Sequence, residues 1–203
     1  TFLTFITYIF VFVFVVLFFN QIDGINGLAT GTFLTCLLFI HLTGTNLILL
    51  LPVILSIIAY FVININGKVG IQGDAGSFFM GSLIAILYVK SRPLNEIGLI
   101  FFILGPMVFD ICGTTLIRFY YKINLTIGHR ENLYQKLVSK YQSHLLVTFI
   151  FVFLQFIFCF LLSVFLEKKS LILIYSSIIF VCSFLMVLFC FIAYLIHNKK
   201  IFK

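Results

Sequence analysis

Long apolar runs separated by short polar stretches make up most of this chain. A helix needs about 20 apolar residues to cross the roughly 30 Å hydrocarbon core of a bilayer. By this measure the pattern predicts an all-α polytopic bundle of seven membrane-spanning helices in a single integral membrane domain, residues 1–203. The predicted spans are Phe2–Phe19, Leu28–Leu42, Leu47–Ile65, Ala75–Val89, Ile97–Phe119, Leu145–Leu166 and Leu171–Ile196.

The second and fourth predicted spans are short and rich in Gly, Ser or Thr near their starts. Such helices are typical of the interior of a bundle, where they begin in a polar vestibule. Gly27 and Gly31 have the spacing of small residues that lets two helices pack closely. We therefore expect these two spans to face other helices rather than lipid.

Composition supports a membrane environment: 63% of the residues are hydrophobic and 9% are charged. Soluble domains have roughly 45–50% and 25%, so lipid must be the solvent for most of this surface. The five cysteines lie in apolar runs without CxxC spacing, which gives no support for a disulfide framework or a zinc site.

The net charge of +7 is distributed unevenly between the two sides that the seven spans define. One side carries nine basic residues, namely Lys68, Arg118, Lys122, Arg130, Lys136, Lys140, Lys199, Lys200 and Lys203. The other side carries four, Lys90, Arg92, Lys168 and Lys169. The positive-inside rule places the first side and the C-terminus in the cytoplasm. The sequence has no stripe of basic residues with interleaved aromatic residues, so it gives no support for nucleic-acid binding.

The first polar motif is NQIDGINGLATG, residues 20–31, at the cytoplasmic end of the first span. Asn20, Asp23 and Asn26 are three residues apart, and they would share a face if this turn were helical. The neighbouring glycines let backbone approach a ligand closely. A polar turn between two helices, capped by Asn and Asp, is an equally good interpretation of this motif alone.

The second motif is GDAGS, residues 73–77, which opens the fourth span a few residues after Lys68. A carboxylate beside free N–H groups at a helix start suits a Mg²⁺–phosphate site, with Asp74 as an oxygen ligand. An ordinary N-cap is the simpler interpretation when this motif is considered alone.

The third motif is Pro106-x-x-x-Asp110 followed by Arg118, within the fifth span. An ionisable side chain inside the membrane is costly unless it is paired or lines a wet cavity, so Asp110 is a candidate functional residue. Arg118 lies more than two turns further along, too far for a direct ion pair with Asp110.

The fourth motif is HRENLYQK, residues 129–136, in the long connection after the fifth span. His129 and Arg130 form a natural anion cradle, whereas Lys136 and Lys140 fit better on a juxtamembrane helix that contacts anionic lipid. His41, His144 and His197 lack such polar company and are interpreted as ordinary residues. All four motifs are expected at the cytoplasmic face, which favours a single site there.

These motifs resemble those of the polyprenyl-phosphate N-acetylhexosamine-1-phosphate transferases. Residues 20–31 resemble the family's N-x-x-D-G-[LI]-[DN]-G-L-A-x-G stretch, and residues 73–77 resemble its G-D-x-G-S. Residues 106–118 resemble P-x-x-x-D-x7-R, and residues 129–137 resemble the H-R-x-H-x-Y-Q-x-L loop of O-antigen-type members. Asn26 and Asn132 stand where many relatives have Asp and His, respectively.

The resemblance implies transfer of a HexNAc-type sugar-1-phosphate from a UDP-sugar to undecaprenyl phosphate at a bacterial plasma membrane, with release of UMP. It implies Mg²⁺ as cofactor, with Mn²⁺ as an alternative ion, for synthesis of cell-wall or O-antigen polysaccharide. A homodimer is compatible with it. The residues implied for catalysis are Asp74, Asp23 and His129, and those implied for metal binding are Asp74 and Asp23. Those implied for substrate binding are Asn20, Asn26, Lys68, Asp110, Arg118 and Arg130.

An adjacent Asp-Asp pair that relatives carry on an earlier loop has no counterpart here, and relatives have ten or eleven spans. We therefore expect this chain to be the C-terminal part of a longer transferase, and to be inactive alone. The alternative is a transporter or channel subunit that uses Asp110 as an ion or proton site. A CDP-alcohol phosphotransferase ranks lower, because the run of residues expected after Asp23-Gly24 in that class is missing.

Overall fold

A computed structural model describes residues 2–43, 51–65, 70, 72–91, 98–125, 127–128 and 130–167. Within these residues all regular structure is helical, which confirms the predicted all-α bundle. The helices are α1 (Phe2–Ile22), α2 (Leu28–Leu42), α3 (Leu51–Ile65), α4 (Gly73–Ser91), α5 (Ile100–Ile103), α6 (Gly105–Tyr120), α7 (Leu133–Tyr141) and α8 (His144–Glu167).

The helix bounds follow the hydrophobic pattern closely for most predicted spans. Helix α2 has the predicted bounds, and α8 begins and ends within one residue of the prediction. The seventh predicted span, Leu171–Ile196, lies outside the described residues. By length and hydropathy, Phe2–Ile22 and His144–Ser163 can each cross a membrane, while α2 and α3 are shorter apolar helices.

Two differences from the prediction concern the segment after residue 97. The predicted span Ile97–Phe119 is broken at Leu104, which lies between α5 and α6, and Pro106 stands in the first turn of α6. Proline lacks an N–H and cannot continue the helix hydrogen bonds of the preceding turn, so the break falls there. In addition, the long polar connection contains the nine-residue helix α7, which was not among the predicted spans.

Helix α2 lies at the centre of the bundle, in contact with α1, α3, α4 and α8. Eleven of its 15 residues are buried, which confirms the expectation that this short span faces other helices. A Cβ at Gly31 would come within 2.6 Å of a Val152 methyl on α8, so a small residue is needed where these helices cross. A glycine also allows close packing of α1 on α4, because a Cβ at Gly81 would lie 2.8 Å from the Cα of Val16.

The outside of the bundle is apolar over long stretches. Phe2, Phe5 and Phe10 on α1 and Phe149 and Phe153 on α8 are more than half exposed. Soluble proteins rarely carry contiguous apolar surface of this extent. The exposed faces of these two helices are therefore suited to lipid, in agreement with the composition.

Candidate active site at one end of the bundle

The first motif forms a turn between α1 and α2 rather than a continuation of the helix. Helix α1 ends at Ile22, and α2 begins at Leu28 after Gly27, whose φ of 81° is in the left-handed region. Glycine adopts this conformation without the steric cost that a Cβ imposes. Asn20, Asp23 and Asn26 therefore do not share one helical face, because the turn separates them.

The second motif meets this turn. Asn20 Nδ2 donates to Asp74 Oδ1 over 2.9 Å and approaches Ser77 Oγ at 3.3 Å. Asp74 is exposed in the first turn of α4, and Asp23 is half-buried nearby. The two carboxylates predicted to share a site are thus brought to the same end of the bundle, from segments about 50 residues apart in sequence.

Burial and electrostatic repulsion both act on Asp23. Partial burial of its carboxyl group, together with the nearby charge of Asp74, raises the pKa of Asp23 to about 7. Burial is the larger cause, because an ionised carboxylate loses hydration there. Asp23 therefore changes its ionisation state near neutral pH, which is typical of functional sites.

Side chains from two helices, α3 and α8, hold the backbone of the turn. Asn64 on α3 accepts the N–H of Gly27 through Oδ1 over 2.6 Å. His144 Nδ1, at the start of α8, accepts the N–H of Asn26 over 3.3 Å, and Thr148 donates its hydroxyl to the Asn26 carbonyl over 2.7 Å. Hydrogen bonds from side chains of α3 and α8 therefore fix the backbone conformation of the turn that carries Asp23.

Asp110 belongs to α6, and its carboxylate lies against the first residues of α7 rather than in an open cavity. Its Oδ1 accepts the N–H of Leu133 over 2.7 Å, and its Oδ2 accepts the N–H of Tyr134 over 3.1 Å. Thr114, one turn further along α6, approaches Oδ1 at 3.4 Å. Both carboxylate oxygens are thus occupied, and a substrate would have to displace α7 to reach them.

Arg118 is buried and organises the loop that precedes α7. Its Nη2 donates to the carbonyls of Asn124 and Ile127 over 2.6 and 3.2 Å, and Nη1 lies 3.7 Å from Glu131. It makes no ion pair with Asp110, as expected from their spacing. Arg130 is exposed in the same loop. His129 and Lys68 lie outside the described residues.

Comparison with known proteins shows what this arrangement is similar to. Residues 1–92, which contain both Asp23 and Asp74, match the glycosyl transferase family 4 profile. Over 135 residues the chain is 30% identical to a probable undecaprenyl-phosphate N-acetylglucosaminyl 1-phosphate transferase of Bacillus subtilis (strain 168). That alignment covers 62% of this chain and 38% of the relative.

The N-terminal part of the chain is thus similar to the family 4 glycosyl transferases. The predicted resemblance to polyprenyl-phosphate N-acetylhexosamine-1-phosphate transferases is thereby confirmed. No solved structure matches the chain significantly. The chain spans about 38% of the length of the curated relative it matches.

The donor groups present fit the divalent cation that the resemblance implies. In the part of the chain that the structure describes, no three His, Cys, Asp or Glu side chains cluster as a complete metal cage. Mg²⁺ does not need one, because it is usually held by one or two carboxylates together with water and substrate phosphates. Asp74 and Asp23 supply two such carboxylates. Burial is the larger cause of the raised pKa of Asp23, and a bound cation would offset the repulsion from Asp74 that adds to it.

Sequence reasoning missed several residues that build this site. Asn64 and Tyr134 were not singled out, and His144 was interpreted as an ordinary residue although it binds the turn. For Asn64 a signal was available: a carboxamide in an otherwise apolar helix is costly unless it has a partner. No comparable signal marked His144, since its partner is 118 residues away.

Proposed function

We propose that the protein to which this chain belongs transfers a HexNAc-type sugar-1-phosphate from a UDP-sugar to undecaprenyl or a related polyprenyl phosphate, and releases UMP. The observation that carries the proposal is that Asp23 lies near enough to Asp74 for their charges to interact, at the polar end of an apolar bundle where Asn20 binds Asp74. Both lie in the segment that matches glycosyl transferase family 4.

The reaction requires two phosphate groups, both anionic, to approach each other. An oxygen of the lipid phosphate forms a new P–O bond with the phosphorus that bears the sugar, and UMP leaves with the electrons of the broken P–O bond. Mg²⁺ held by Asp74 and Asp23 would neutralise charge on the diphosphate. Asn20 holds Asp74 by its 2.9 Å hydrogen bond, and Arg130 on the exposed loop, with His129, would attract the nucleotide sugar.

An apolar groove beside the site supports a lipid acceptor. It lies between α1 and α6, has a volume of about 200 Å³, and is lined by Phe14, Leu17, Phe18, Val108 and Ile111. Gln21, in the last turn of α1, lines it at the site end. A prenyl chain in this groove would bring its phosphate towards the turn that carries Asp23. The positive excess on the same side supports a cytoplasmic site at a bacterial plasma membrane.

The transporter alternative depended on Asp110 as an ion or proton site. Both oxygens of that carboxylate accept hydrogen bonds from α7, and no observation favours an ion pathway through it. A transporter would move solute without producing UMP, so the same assay separates the two functions.

The test is UMP release by the whole protein in detergent, supplied with undecaprenyl phosphate, Mg²⁺ and a panel of UDP-HexNAc donors. Asp74→Asn should lower the rate by about 100-fold or more, because a metal site supplies several kcal/mol of transition-state stabilisation. Lys140→Gln, on the exposed face of α7, is the matched charge control and should keep its activity. Folded wild-type protein that releases no UMP with any donor would contradict the proposal.

A further inference from the structure

The start of helix α7 is capped by a residue of a different helix. The first N–H groups of any helix lack partners within it, and here the Asp110 carboxylate of α6 accepts those of Leu133 and Tyr134. A negative charge is also favoured at a helix N-terminus. Asp110 is 2% exposed, so these bonds are shielded from water and fix α7 on α6. Asn132 and Gln135 complete the cap with a reciprocal pair of hydrogen bonds.

The same turn of α7 is bound to α1. The Tyr134 hydroxyl donates to the carbonyl of Gln21 over 2.8 Å and accepts from Asn132 Nδ2 at 3.2 Å. Tyr134 is fully buried, and a Cβ at Gly24 would come within 2.8 Å of its hydroxyl oxygen. One residue of α7 therefore contacts α6 through its backbone and α1 through its side chain, next to Asp23.

Helix α7 is thus hydrogen-bonded to both helices that form the groove, α1 and α6. Gln21, whose carbonyl binds Tyr134, lines that groove from the α1 side. Val108 and Ile111 line it from the α6 side, whereas Asp110 binds α7 from another face of the same stretch of α6. Both walls of the groove are therefore joined through α7 at the end nearest the candidate site.

We propose that α7 is a strap that sets the spacing of α1 and α6 at the polar end of the groove, with Asp110 and Tyr134 as its positioning residues. The proposal rests on the proposed function in one respect, namely that the groove receives the lipid acceptor. Neither residue has to touch a reacting atom. Loosening the strap should weaken binding of the acceptor much more than it slows the chemical step.

The first experiment measures the strap without reference to activity. Hydrogen exchange of the backbone amides in residues 131–136 is followed in the whole protein, for the wild type, Asp110→Asn and Tyr134→Phe. Both variants keep side-chain shape, and each should speed exchange of this segment by about 10-fold, the effect of losing about 1.4 kcal/mol of hydrogen bonding. Thr115→Val on α6 and Tyr141→Phe on α7, both exposed, are the matched controls and should leave exchange unchanged.

The second experiment measures UMP release at varied acceptor and donor concentrations. In each variant the KM for the polyprenyl phosphate should rise by about 5- to 10-fold, with kcat and the donor KM within about twofold of wild type. Since both residues act through α7, the double variant should exceed the larger single effect only slightly. A matched acceptor with a very short prenyl chain should be less sensitive to the variants.

Several outcomes would overturn the proposal. Unchanged exchange in both variants would show that α7 is not held by these bonds. Faster exchange with an unchanged acceptor KM would show that the spacing does not matter for binding, and a fall in kcat alone would place Asp110 in the chemistry. If the wild-type protein releases no UMP, the proposed function fails. The exchange experiment then still shows whether Asp110 and Tyr134 hold α7 in place.

Discussion

The backbone N–H of Gly27 donates to Oδ1 of Asn64 over 2.6 Å, so a buried side chain of α3 fixes the end of the turn that carries Asp23. The same carboxamide donates through Nδ2 to the carbonyl of Gly70 over 2.6 Å. Gly70 precedes the segment that carries Asp74. One asparagine therefore connects the two parts of the chain that supply the carboxylates of the candidate site.

Replacing this asparagine should destabilise the protein and disturb the site together. Asn64→Ala removes the partner of the buried Gly27 N–H, and a buried unpaired group costs about 1–3 kcal/mol, whereas the Gly70 carbonyl keeps its hydrogen bond from the Tyr60 hydroxyl. We expect a lower melting temperature in detergent and a reduced rate of UMP release. Ser56→Ala, an exposed position of the same helix, should change neither. Equal stability of the two variants would show that other groups replace the asparagine.

His144 should support activity through the hydrogen bond that its Nδ1 accepts from the turn carrying Asp23. Its Nδ1 accepts the N–H of Asn26, and the Oδ1 of an asparagine side chain can occupy a similar position. We expect His144→Ala to lower kcat/KM by up to about 10-fold, the upper range for one hydrogen bond, and His144→Asn to recover most of it. His41→Ala, at the far end of α2, serves as the control. Equal rates for the Ala and Asn variants would contradict this role.

Divalent-cation binding should strengthen as the pH rises through neutrality. Because the pKa of Asp23 is raised to about 7, its carboxyl group is mostly protonated at pH 6 and mostly ionised at pH 8. A proton competes with the cation for this group, so the Mg²⁺ concentration for half-maximal UMP release should fall over this range. Asp23→Asn should flatten the dependence. An equally steep dependence in Asp23→Asn would assign the effect to another group.

The raised pKa of Asp23 should also make the protein less stable as the pH rises, when no cation is bound. A carboxyl whose folded-state pKa is raised contributes no pH dependence below its unfolded pKa, where both states are protonated. As the pH rises from 3.8 to about 7, the unfolded state ionises first, so the free energy of unfolding falls, and it levels off above about 7. Melting temperatures in EDTA should therefore decline over this interval for the wild type and less for Asp23→Asn. A wild-type curve that rises with pH would contradict the sign.

Close packing of α1 on α4 should depend on Gly81. An added Cβ would meet the Cα of Val16 at 2.8 Å, and backbone cannot move aside as cheaply as a flexible side chain. Gly81→Ala should therefore reduce the free energy of unfolding by about 1–3 kcal/mol, the usual cost of overpacking. Gly113→Ala, on α6 with nothing within 4 Å of its Cβ, should instead gain about 0.5–1 kcal/mol of helix stability. A destabilised Gly113→Ala with a neutral Gly81→Ala would reverse this interpretation.

The sequence by itself determined the fold class and most helix bounds. Helix α2 has the predicted bounds because a run of apolar residues between polar turns is a local property of the chain. The motifs around Asp23 and Asp74 were also recognisable locally, and the family comparison agrees with them. Helix α7 was missed because its nine residues form an amphipathic pattern too short to stand out within a polar connection.

Tertiary structure alone decided what the polar side chains bind. Asp110 was a candidate functional residue because a carboxylate inside the membrane needs a partner, yet nothing near it in sequence shows that the partner is the backbone of α7, 23 residues away. Asn64 and His144 likewise bind the turn from helices that only packing brings next to it. Hydrophobic periodicity is read along the chain, whereas a hydrogen bond between distant residues exists only after the helices have packed.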